Sequence, residues 1–445
     1  MNRKSPPTTA PKEARCPRFF SMLFGAFLGL GLVKFGNAVI MERFIERPTN
    51  SWEWLFNPWP FEVAYIGLAI MGLLALRSAK WRKTGPAWLI ALPAIWLIWQ
   101  FVAATQTVDA ALTHSTLRHF TACVVCYYLG YYSLAESREP WFLAGLTAGM
   151  GVVLIAGWHQ HLGGLEETRR YFFTYLYPQM PAVPPEYLKK IQSDRIWATL
   201  FYPNALAGVM LLLLPATLVF ILRYFTRLTK AARQFVAATI GVGALGCLYW
   251  SGSKGGWLLM LVLALVALLQ LEFPVRWKVG LICLVVVGGL LGFGLKNAEF
   301  FRKGATSVSA RVDYWQAAVA TALANPLFGT GPGTFAIPYQ RIKRPESEMS
   351  RLVHNDYLQQ ASDSGLAGFA VYFAFISGWV AFTGSRLRTP CDEIQFATWL
   401  GVSGWLLQGF IEFGLYIPAL SWTAFAMMGW LLGVTNRFDK LETGL

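Results

Sequence analysis

The stretch PNALAGVMLLLLPATLVFILRYF, residues 203–225, contains one charged side chain, Arg223. An α-helix needs about 17–25 predominantly apolar residues to cross the hydrocarbon core of a bilayer. The stretch has that length, and its apolar residues follow one another without the alternation that marks a strand of an outer-membrane barrel. We therefore predict that it forms a transmembrane helix in an all-α fold.

Comparable apolar runs recur along the whole chain of 445 residues. Hydrophobic residues make up 55% of the sequence and charged residues only 14%, whereas a soluble domain carries about 25% charged residues. The sequence therefore predicts an all-α, polytopic membrane protein with about twelve transmembrane helices and a large periplasmic loop that contains short helices. The predicted spans are residues 19–40, 61–77, 86–105, 116–135, 140–158, 203–225, 233–250, 256–271, 278–295, 365–384, 394–413 and 418–435.

Lysine and arginine are concentrated on one of the two sides that this alternation of spans defines. If residues 1–18 lie inside, the inside segments hold nearly all of the formal net charge of +14, as the positive-inside rule requires. The rule places both termini in the cytoplasm and the long loops 159–202 and 297–364 on the periplasmic side. The basic balance thus reflects topology and not nucleic-acid binding. We expect a disordered arm at 1–18, a single helical domain at 19–435 and a cytoplasmic tail at 436–445.

Each end of loop 297–364 combines polar and aromatic residues. One end reads SARVDYW and contains Arg311, and the other reads VHNDYL and contains His354. Both ends show the spacing of short amphipathic helices, with Arg311 and His354 on the apolar faces. A guanidinium or an imidazole withdrawn from water needs a partner, which a bound anionic substrate would supply. We predict that these two residues form the core of a functional site.

Together with their neighbours, these two ends resemble the bacterial O-antigen ligase and O-antigen polymerase superfamily. Arg311 is followed by Tyr-Trp at the family's spacing, a glycine-rich segment occupies residues 325–335, and HNDYLQ occupies residues 354–359. No strand leads into the glycine-rich segment, so we predict a tight turn there and not a dinucleotide-binding loop. The whole resemblance covers roughly residues 190–435.

Two earlier motifs agree with the same family. Arg195 precedes a Pro203-Asn204 step into an apolar helix, and Ser253-Lys254-Gly255 resembles the family's Ser-Arg-Gly. Lys254 stands where most members carry arginine, so a bidentate guanidinium is replaced by a compact point charge. This departure weakens the transfer of the family's role to position 254.

The resemblance implies a metal-independent, inverting glycosyltransferase of the bacterial cytoplasmic (inner) membrane. It would move a glycan from an undecaprenyl-pyrophosphate donor to an acceptor hydroxyl at the periplasmic face. Lipid A-core is the expected acceptor, as in lipopolysaccharide biosynthesis. Polymerisation of repeat units and transfer to a protein, as by a protein O-oligosaccharyltransferase, stay open because the acceptor is selected by variable loops. The implied partners are the lipid-linked glycan, the acceptor and membrane lipid; no cofactor, metal or nucleic acid is expected.

The resemblance also implies a role for each candidate residue. His354 is the expected catalytic base, and Arg311, Arg195 and Lys254 are the expected ligands of the donor pyrophosphate. The supporting residues are Asn355, Tyr357 and Glu412. An acid such as Glu412, at the end of a membrane helix, is expected to pair with an arginine.

A transporter or flippase of lipid-linked cargo is the alternative from a different class. Such a protein would favour broken helices, ionisable residues near the membrane midplane and internal repeats. The sequence shows neither the broken helices nor the repeats, and its polar motifs fall at the ends of the apolar runs. The glycosyltransferase is therefore the favoured prediction.

Overall fold

The computed structural model describes residues 15–77, 79, 85–137, 139–179, 188, 191–270, 274–302, 306–387 and 392–442. Residues 1–14 of the predicted arm and residues 443–445 of the predicted tail lie outside these ranges. The first helix begins at Arg15 and the last continues to Glu442. The described parts of both terminal segments are therefore helical.

The described chain is built from helices joined by turns and irregular segments, and none of these residues forms a β-strand. The α-helices are α1 Arg15–Lys34, α2 Ser51–Phe56, α3 Phe61–Ala75, α4 Ala87–Ala104, α5 Ala110–Tyr132, α6 Phe142–His159, α7 Leu165–Tyr171, α8 Pro203–Tyr224, α9 Lys230–Trp250, α10 Lys254–Gln270, α11 Val275–Cys283, α12 Gly289–Arg302, α13 Thr306–Ala324, α14 Ala336–Ile342, α15 Asp356–Arg386, α16 Glu393–Gln408 and α17 Pro418–Glu442. Shorter 3₁₀ or π segments are Val39–Phe44, Leu134–Glu136, Gln160–Gly164, Phe172–Leu176, Tyr177–Gln179, Leu284–Gly288 and Gly414–Tyr416.

Among the described residues, seven helical stretches are long and apolar enough to cross a membrane. They are Pro17–Lys34, Ala87–Ala104, Phe142–Tyr175, Pro203–Tyr224, Lys230–Trp250, Val275–Ala298 and Asp356–Arg386. Phe61–Ala75 and Lys254–Gln270 are apolar but shorter. The all-α prediction is confirmed, whereas the count of about twelve spans and the periplasmic position of the large loop stay predictions.

Close helix pairs hold the bundle together through small residues. Helix α1 packs on α6, where a Cβ placed on Gly145 would lie 2.2 Å from the carbonyl carbon of Gly25. Helix α5 packs on α17, where a Cβ on Gly130 would lie 2.2 Å from the Ala426 carbonyl oxygen. Glycines allow such backbone approach in membrane bundles, where van der Waals packing replaces the hydrophobic effect between helices. The bundle thus fixes the helix ends that carry the polar residues.

The region around His354 differs from the prediction. We expected a short helix with His354 on its apolar face and a separate span from residue 365. Instead, His354 precedes α15, and α15 contains both segments with a break at Gly365, where φ is +73°. A Cβ at Gly365 would lie 2.2 Å from the Leu327 carbonyl oxygen, so the break lets the glycine-rich turn pack directly against α15.

Candidate functional site

Glu412 lies at the centre of the candidate site, in the turn between α16 and α17. Its Oε1 atom accepts hydrogen bonds from the Arg311 guanidinium and from Asn204 Nδ2, the latter at 2.5 Å. Its Oε2 atom lies 3.2 Å from His354 Nδ1. The side chain of Glu412 is only 7% exposed, and that of Arg311 is 20% exposed. One buried carboxylate therefore joins residues from three distant parts of the chain.

Arg311 lies on the first turns of α13 and is held at both ends of its guanidinium. Its Nε atom donates to the Ile411 carbonyl at 3.1 Å, and its Nη1 atom donates to the Ser307 carbonyl at 3.3 Å. These contacts orient the planar group beside Glu412. The orientation matters because a fixed guanidinium presents its donors in a defined direction.

Arg195 joins the same cluster through Asn204. Its Nη2 atom donates to Asn204 Oδ1 and its Nε atom donates to the Ser251 carbonyl, both at 2.7 Å. Asn204 is the second residue of α8, directly after a proline that suits the first helical position. Its amide oxygen thus faces a cation while its amide nitrogen faces the Glu412 carboxylate. Asn204 is therefore the bridge between Arg195 and the centre of the site.

His354 has a left-handed backbone, with φ of +54°, which a residue other than glycine seldom adopts. Its ring centroid lies 4.9 Å from that of Phe413 and 5.8 Å from that of Tyr314. A carboxylate can only accept hydrogen bonds, so the neutral imidazole donates Nδ1–H to Glu412 and keeps a lone pair on Nε2. Within the described part of the chain, Nε2 makes no hydrogen bond. That nitrogen is free to accept a proton.

Asn355 and Tyr357 fix the start of α15 and make no direct contact with the charged groups of the site. The Asn355 side chain caps the helix by accepting from the amides of Tyr357 and Leu358, both at 3.0 Å. The Tyr357 hydroxyl donates to the Leu406 carbonyl at 2.9 Å. The cap fixes the first turn of α15 directly after His354, and the Tyr357 hydroxyl ties that turn to α16. The geometry makes both of them positioning residues.

The turn that carries Glu412 is bonded to α15 on both sides. The Asp356 amide donates to the Gly409 carbonyl at 2.7 Å, and the Leu415 amide donates to Asp356 Oδ2 at 3.0 Å. These two bonds flank Glu412 in the sequence. They hold the Glu412 segment and the His354 segment at a fixed distance from each other.

Lys254 and Lys296 extend the positive charge of the site. Lys254 begins α10 and lies near enough to Arg195 and Arg311 for the like charges to repel one another. Lys296, on α12, is repelled by Lys254 and Arg195 in the same way. Its ammonium donates to the Tyr249 carbonyl and lies 3.1 Å from the centroid of the Tyr249 ring. Both lysines line one cavity between α9, α10 and α12.

The electrostatics keep Glu412 ionised. Burial by itself would raise the pKa of this carboxyl, but the hydrogen bonds from His354 and Arg311 and the positive charge of Arg311 outweigh burial, so its pKa lies below the usual range. Burial lowers the pKa of Arg195, and the negative charge of Glu412 partly offsets that effect. An arginine stays protonated under any physiological condition. The site therefore combines one anion with several cations before any ligand arrives.

The glycine-rich segment forms the tight turn that its sequence predicts. Gly331 and Gly333 have φ of +104° and +80°, a region that suits glycine. The Gly331 amide donates to the Asp363 carbonyl and the Gly333 amide donates to Asp363 Oδ2, both at 2.8 Å. The turn thus directs these two amides into α15 and not toward Arg311. It supports the helix that positions His354.

The site brings together Arg311, Arg195, Lys254, His354 and Glu412, all of which the sequence singled out. It also contains Asn204 and Lys296, which the sequence analysis did not assign to the site. The signal for Asn204 is the Pro203-Asn204 step, which the sequence analysis uses as part of a family motif without giving the Asn204 side chain a role. Lys296 gave a weaker signal, because a lysine at the end of an apolar run ordinarily extends its ammonium to the membrane surface.

A comparison with protein families agrees with this geometry. The family model described as O-Antigen ligase matches residues 239–373, which include Lys254, Lys296, Arg311 and His354. Arg195 and Glu412 lie outside the matched segment. No curated protein gives a significant match to the sequence. The match agrees with the resemblance carried by the motifs: residues 239–373 are similar to the O-antigen ligase family, and the long apolar helices of the chain are typical of a membrane protein.

Proposed function

We propose that this protein transfers a glycan from an isoprenoid pyrophosphate to an acceptor hydroxyl at the periplasmic face of the inner membrane, with inversion at the anomeric carbon. The supporting observation is the double contact of Glu412, which holds the Arg311 guanidinium with one oxygen and the His354 imidazole with the other. A base and an anion-binding cation are thereby placed beside each other. Transfer of a glycan from a pyrophosphate needs a base for the acceptor proton and a cation for the anionic leaving group.

The cations would bind the donor pyrophosphate. Arg311 and Arg195 offer oriented donors, and Lys254 and Lys296 add compact charges on the side of α12. As the bond between the anomeric carbon and the phosphate oxygen breaks, negative charge grows on the leaving pyrophosphate. A preorganised donor aimed at such charge typically contributes about 3–4 kcal/mol to transition-state stabilisation. Fixed side-chain charges would take the role that a metal ion plays in other phosphate chemistry.

His354 would activate the acceptor. The acceptor oxygen attacks the anomeric carbon, its proton passes to Nε2 of His354, and the isoprenoid pyrophosphate leaves with the electrons of the broken bond. Glu412 would stabilise the imidazolium that forms, since its Oε2 atom already contacts Nδ1. General-base assistance of this kind typically contributes 10²–10⁴ in rate. One displacement of this kind inverts the anomeric configuration.

The acceptor that we propose is lipid A-core, so that the reaction is O-antigen ligation. A growing glycan or a protein would use the same base and the same cations, and the choice depends on the surface that faces His354. The donor that we propose carries an undecaprenyl-type chain, which would lie in the membrane beside the bundle.

The test is a reconstituted reaction. The purified protein in lipid nanodiscs is supplied with a glycan on undecaprenyl pyrophosphate and, separately, with lipid A-core, a second lipid-linked glycan or a protein acceptor. We expect a product with lipid A-core, an inverted linkage by NMR and a rate unaffected by a chelator. A retained linkage would contradict the mechanism. Movement of the donor across vesicle membranes with no product from any acceptor would identify a flippase instead.

A further inference from the structure

A second pair of cations lies outside the site described above. The guanidinium carbons of Arg43 and Arg351 lie 4.9 Å and 4.8 Å from the centroid of one aromatic ring, that of Phe44. All three side chains are exposed. Both guanidiniums thus make a cation–π contact with the same exposed ring, and their positive charges repel each other.

No carboxylate in the described part of the chain forms an ion pair with either guanidinium. The acid nearest in sequence, Glu42, is engaged elsewhere, because its Oε2 atom accepts from Arg118 Nη2 at 2.8 Å and from the Ser115 hydroxyl at 2.6 Å. Burial and the charge of Arg43 lower the pKa of Arg351. The pair is therefore a concentrated positive charge that the protein itself does not neutralise.

This pair is separate from the donor-binding cations but close to the proposed base. In the described part of the chain, no hydrogen bond or ion pair joins Arg43 or Arg351 to the cluster around Glu412. Arg351 precedes His354 by three residues, so their Cα atoms lie within about 10 Å of each other. A ligand held by the pair would approach His354 without occupying the pyrophosphate site.

The segment that carries Arg43 also presents an apolar surface. Helix α2 follows within a few residues, and its Trp52, Leu55 and Phe56 are exposed and recur at the spacing of one helix face. The Lys34 ammonium fixes this helix by donating to the Trp54 carbonyl at 3.1 Å. An exposed apolar face that is close in sequence to cationic residues is typical of a helix at the interface between lipid and water. The surface therefore suits a ligand that has both an anionic headgroup and lipid chains.

Resting on the proposed function, we propose that Arg43 and Arg351 bind a phosphate group of the glycolipid acceptor and so present its hydroxyl to His354. Two guanidiniums, each with a fork of N–H donors, match a phosphate monoester with three terminal oxygens better than they match a two-oxygen carboxylate. The exposed face of α2 lies against the lipid part of the same acceptor. The pair selects among acceptors, while the Glu412 cluster acts on the donor.

The test measures acceptor binding without turnover. Wild-type protein in nanodiscs and the double variant Arg43→Gln/Arg351→Gln are titrated, in the absence of donor, with a phosphorylated glycolipid acceptor and with the same acceptor after phosphatase treatment. We expect the double variant to bind the phosphorylated acceptor at least tenfold more weakly and the dephosphorylated one as the wild type does. Arg47→Gln, which removes an exposed arginine of the same segment, is the matched control and should bind like the wild type.

Several outcomes would overturn the proposal. The first is that wild type and double variant bind the phosphorylated acceptor equally well. The second is that the double variant binds the phosphorylated and the dephosphorylated acceptor more weakly by the same factor. The third is that inorganic phosphate displaces the glycolipid when both are present at the same concentration. The last result would identify a site for free phosphate. The test separates this proposal from the proposed function. If the protein binds the acceptor through Arg43 and Arg351 but forms no product, the transfer reaction is contradicted and the acceptor site is not.

Discussion

The Nδ1 atom of His354 lies 3.2 Å from Oε2 of Glu412, although 58 residues separate the two in sequence. The contact orients the imidazole with its lone pair on Nε2, because the carboxylate accepts the proton-bearing side. The other oxygen of Glu412 holds Arg311. A single carboxylate thus couples the position of the proposed base to the position of the guanidinium that we propose binds the donor.

The first prediction concerns the base. His354→Ala should abolish transfer, because no other side chain then takes the acceptor proton, while the amount of folded protein in the membrane stays unchanged. Turnover is measured with saturating donor and acceptor. His114→Ala, which removes an exposed histidine of α5, is the matched control and should keep wild-type activity. Retention of more than a tenth of normal turnover by His354→Ala would show that another group is the base.

The second prediction compares two opposite exchanges of arginine and lysine. Arg311→Lys should lose most activity, because an ammonium cannot contact Glu412 and a phosphate oxygen with parallel donors as a guanidinium does. Lys254→Arg should be tolerated, because a guanidinium keeps the positive charge and the glycine-rich turn around position 254 supplies directional backbone donors. The two rates should differ at least tenfold, or about 1.4 kcal/mol in transition-state binding.

Both variants are assayed at equal abundance in the membrane, and the donor KM is determined for each. Equal activity would show that Arg311 serves helix packing or topology and that the phosphate is bound elsewhere.

The third prediction concerns the pH dependence of stability. The pKa of folded Glu412 lies below its usual range, so its ionised form stabilises the fold above the unfolded pKa, about 4.3, and this contribution is lost as the pH falls through the folded pKa. Glu412→Gln should lower the free energy of unfolding by about 1–3 kcal/mol at neutral pH, since Arg311 and His354 lose a charged partner.

The measurement is the difference in Tm between wild type and variant from pH 7 to pH 3. The difference should be largest near neutral pH and shrink below about pH 4.3. Glu393→Gln, on an exposed carboxylate, should show no such trend. A difference that grows on acidification would mean that burial of Glu412 outweighs its pairing.

The fourth prediction concerns topology. A cysteine introduced at Glu346 should react with a membrane-impermeant reagent added from outside, and one at Thr229 should not, because the positive-inside rule predicts that the basic segments face the cytoplasm. Both positions are exposed, so accessibility to the reagent depends on the side of the membrane. The experiment uses a background in which the native cysteines are replaced by serine. The reverse labelling pattern would invert the whole orientation and place the site in the cytoplasm.

The apolar pattern predicts helix positions well where the helix is uniformly apolar. Helix α8, Pro203–Tyr224, agrees to one residue with the predicted span at 203–225. Helix α5 begins at Ala110, six residues before its predicted span, because Asp109 accepts from the Leu112 amide at 3.0 Å and caps a polar first turn. Such a turn carries no apolar signal, so its helical state follows from the cap and the packing.

The members of the site were more predictable than their arrangement. Arg195, Arg311 and His354 stand in motifs, and Glu412 stands at a helix end, so each could be singled out from the sequence. The left-handed backbone of His354 could not, because a positive φ is uncommon for any residue other than glycine. Nor could the bridge that Asn204 forms between Arg195 and Glu412, because its contact with Glu412 joins residues that are far apart in the sequence.

The site is assembled from segments between Arg195 and Glu412, and this order has a consequence for biogenesis. Helices are delivered to the membrane from the N-terminus onward, so the arginines and lysines arrive first and the carboxylate that aligns them arrives near the end of synthesis. A chain released before residue 412 keeps the cations but has no partner for the His354 imidazole. Only a chain that contains residue 412 can therefore form the cluster in which one carboxylate contacts both Arg311 and His354.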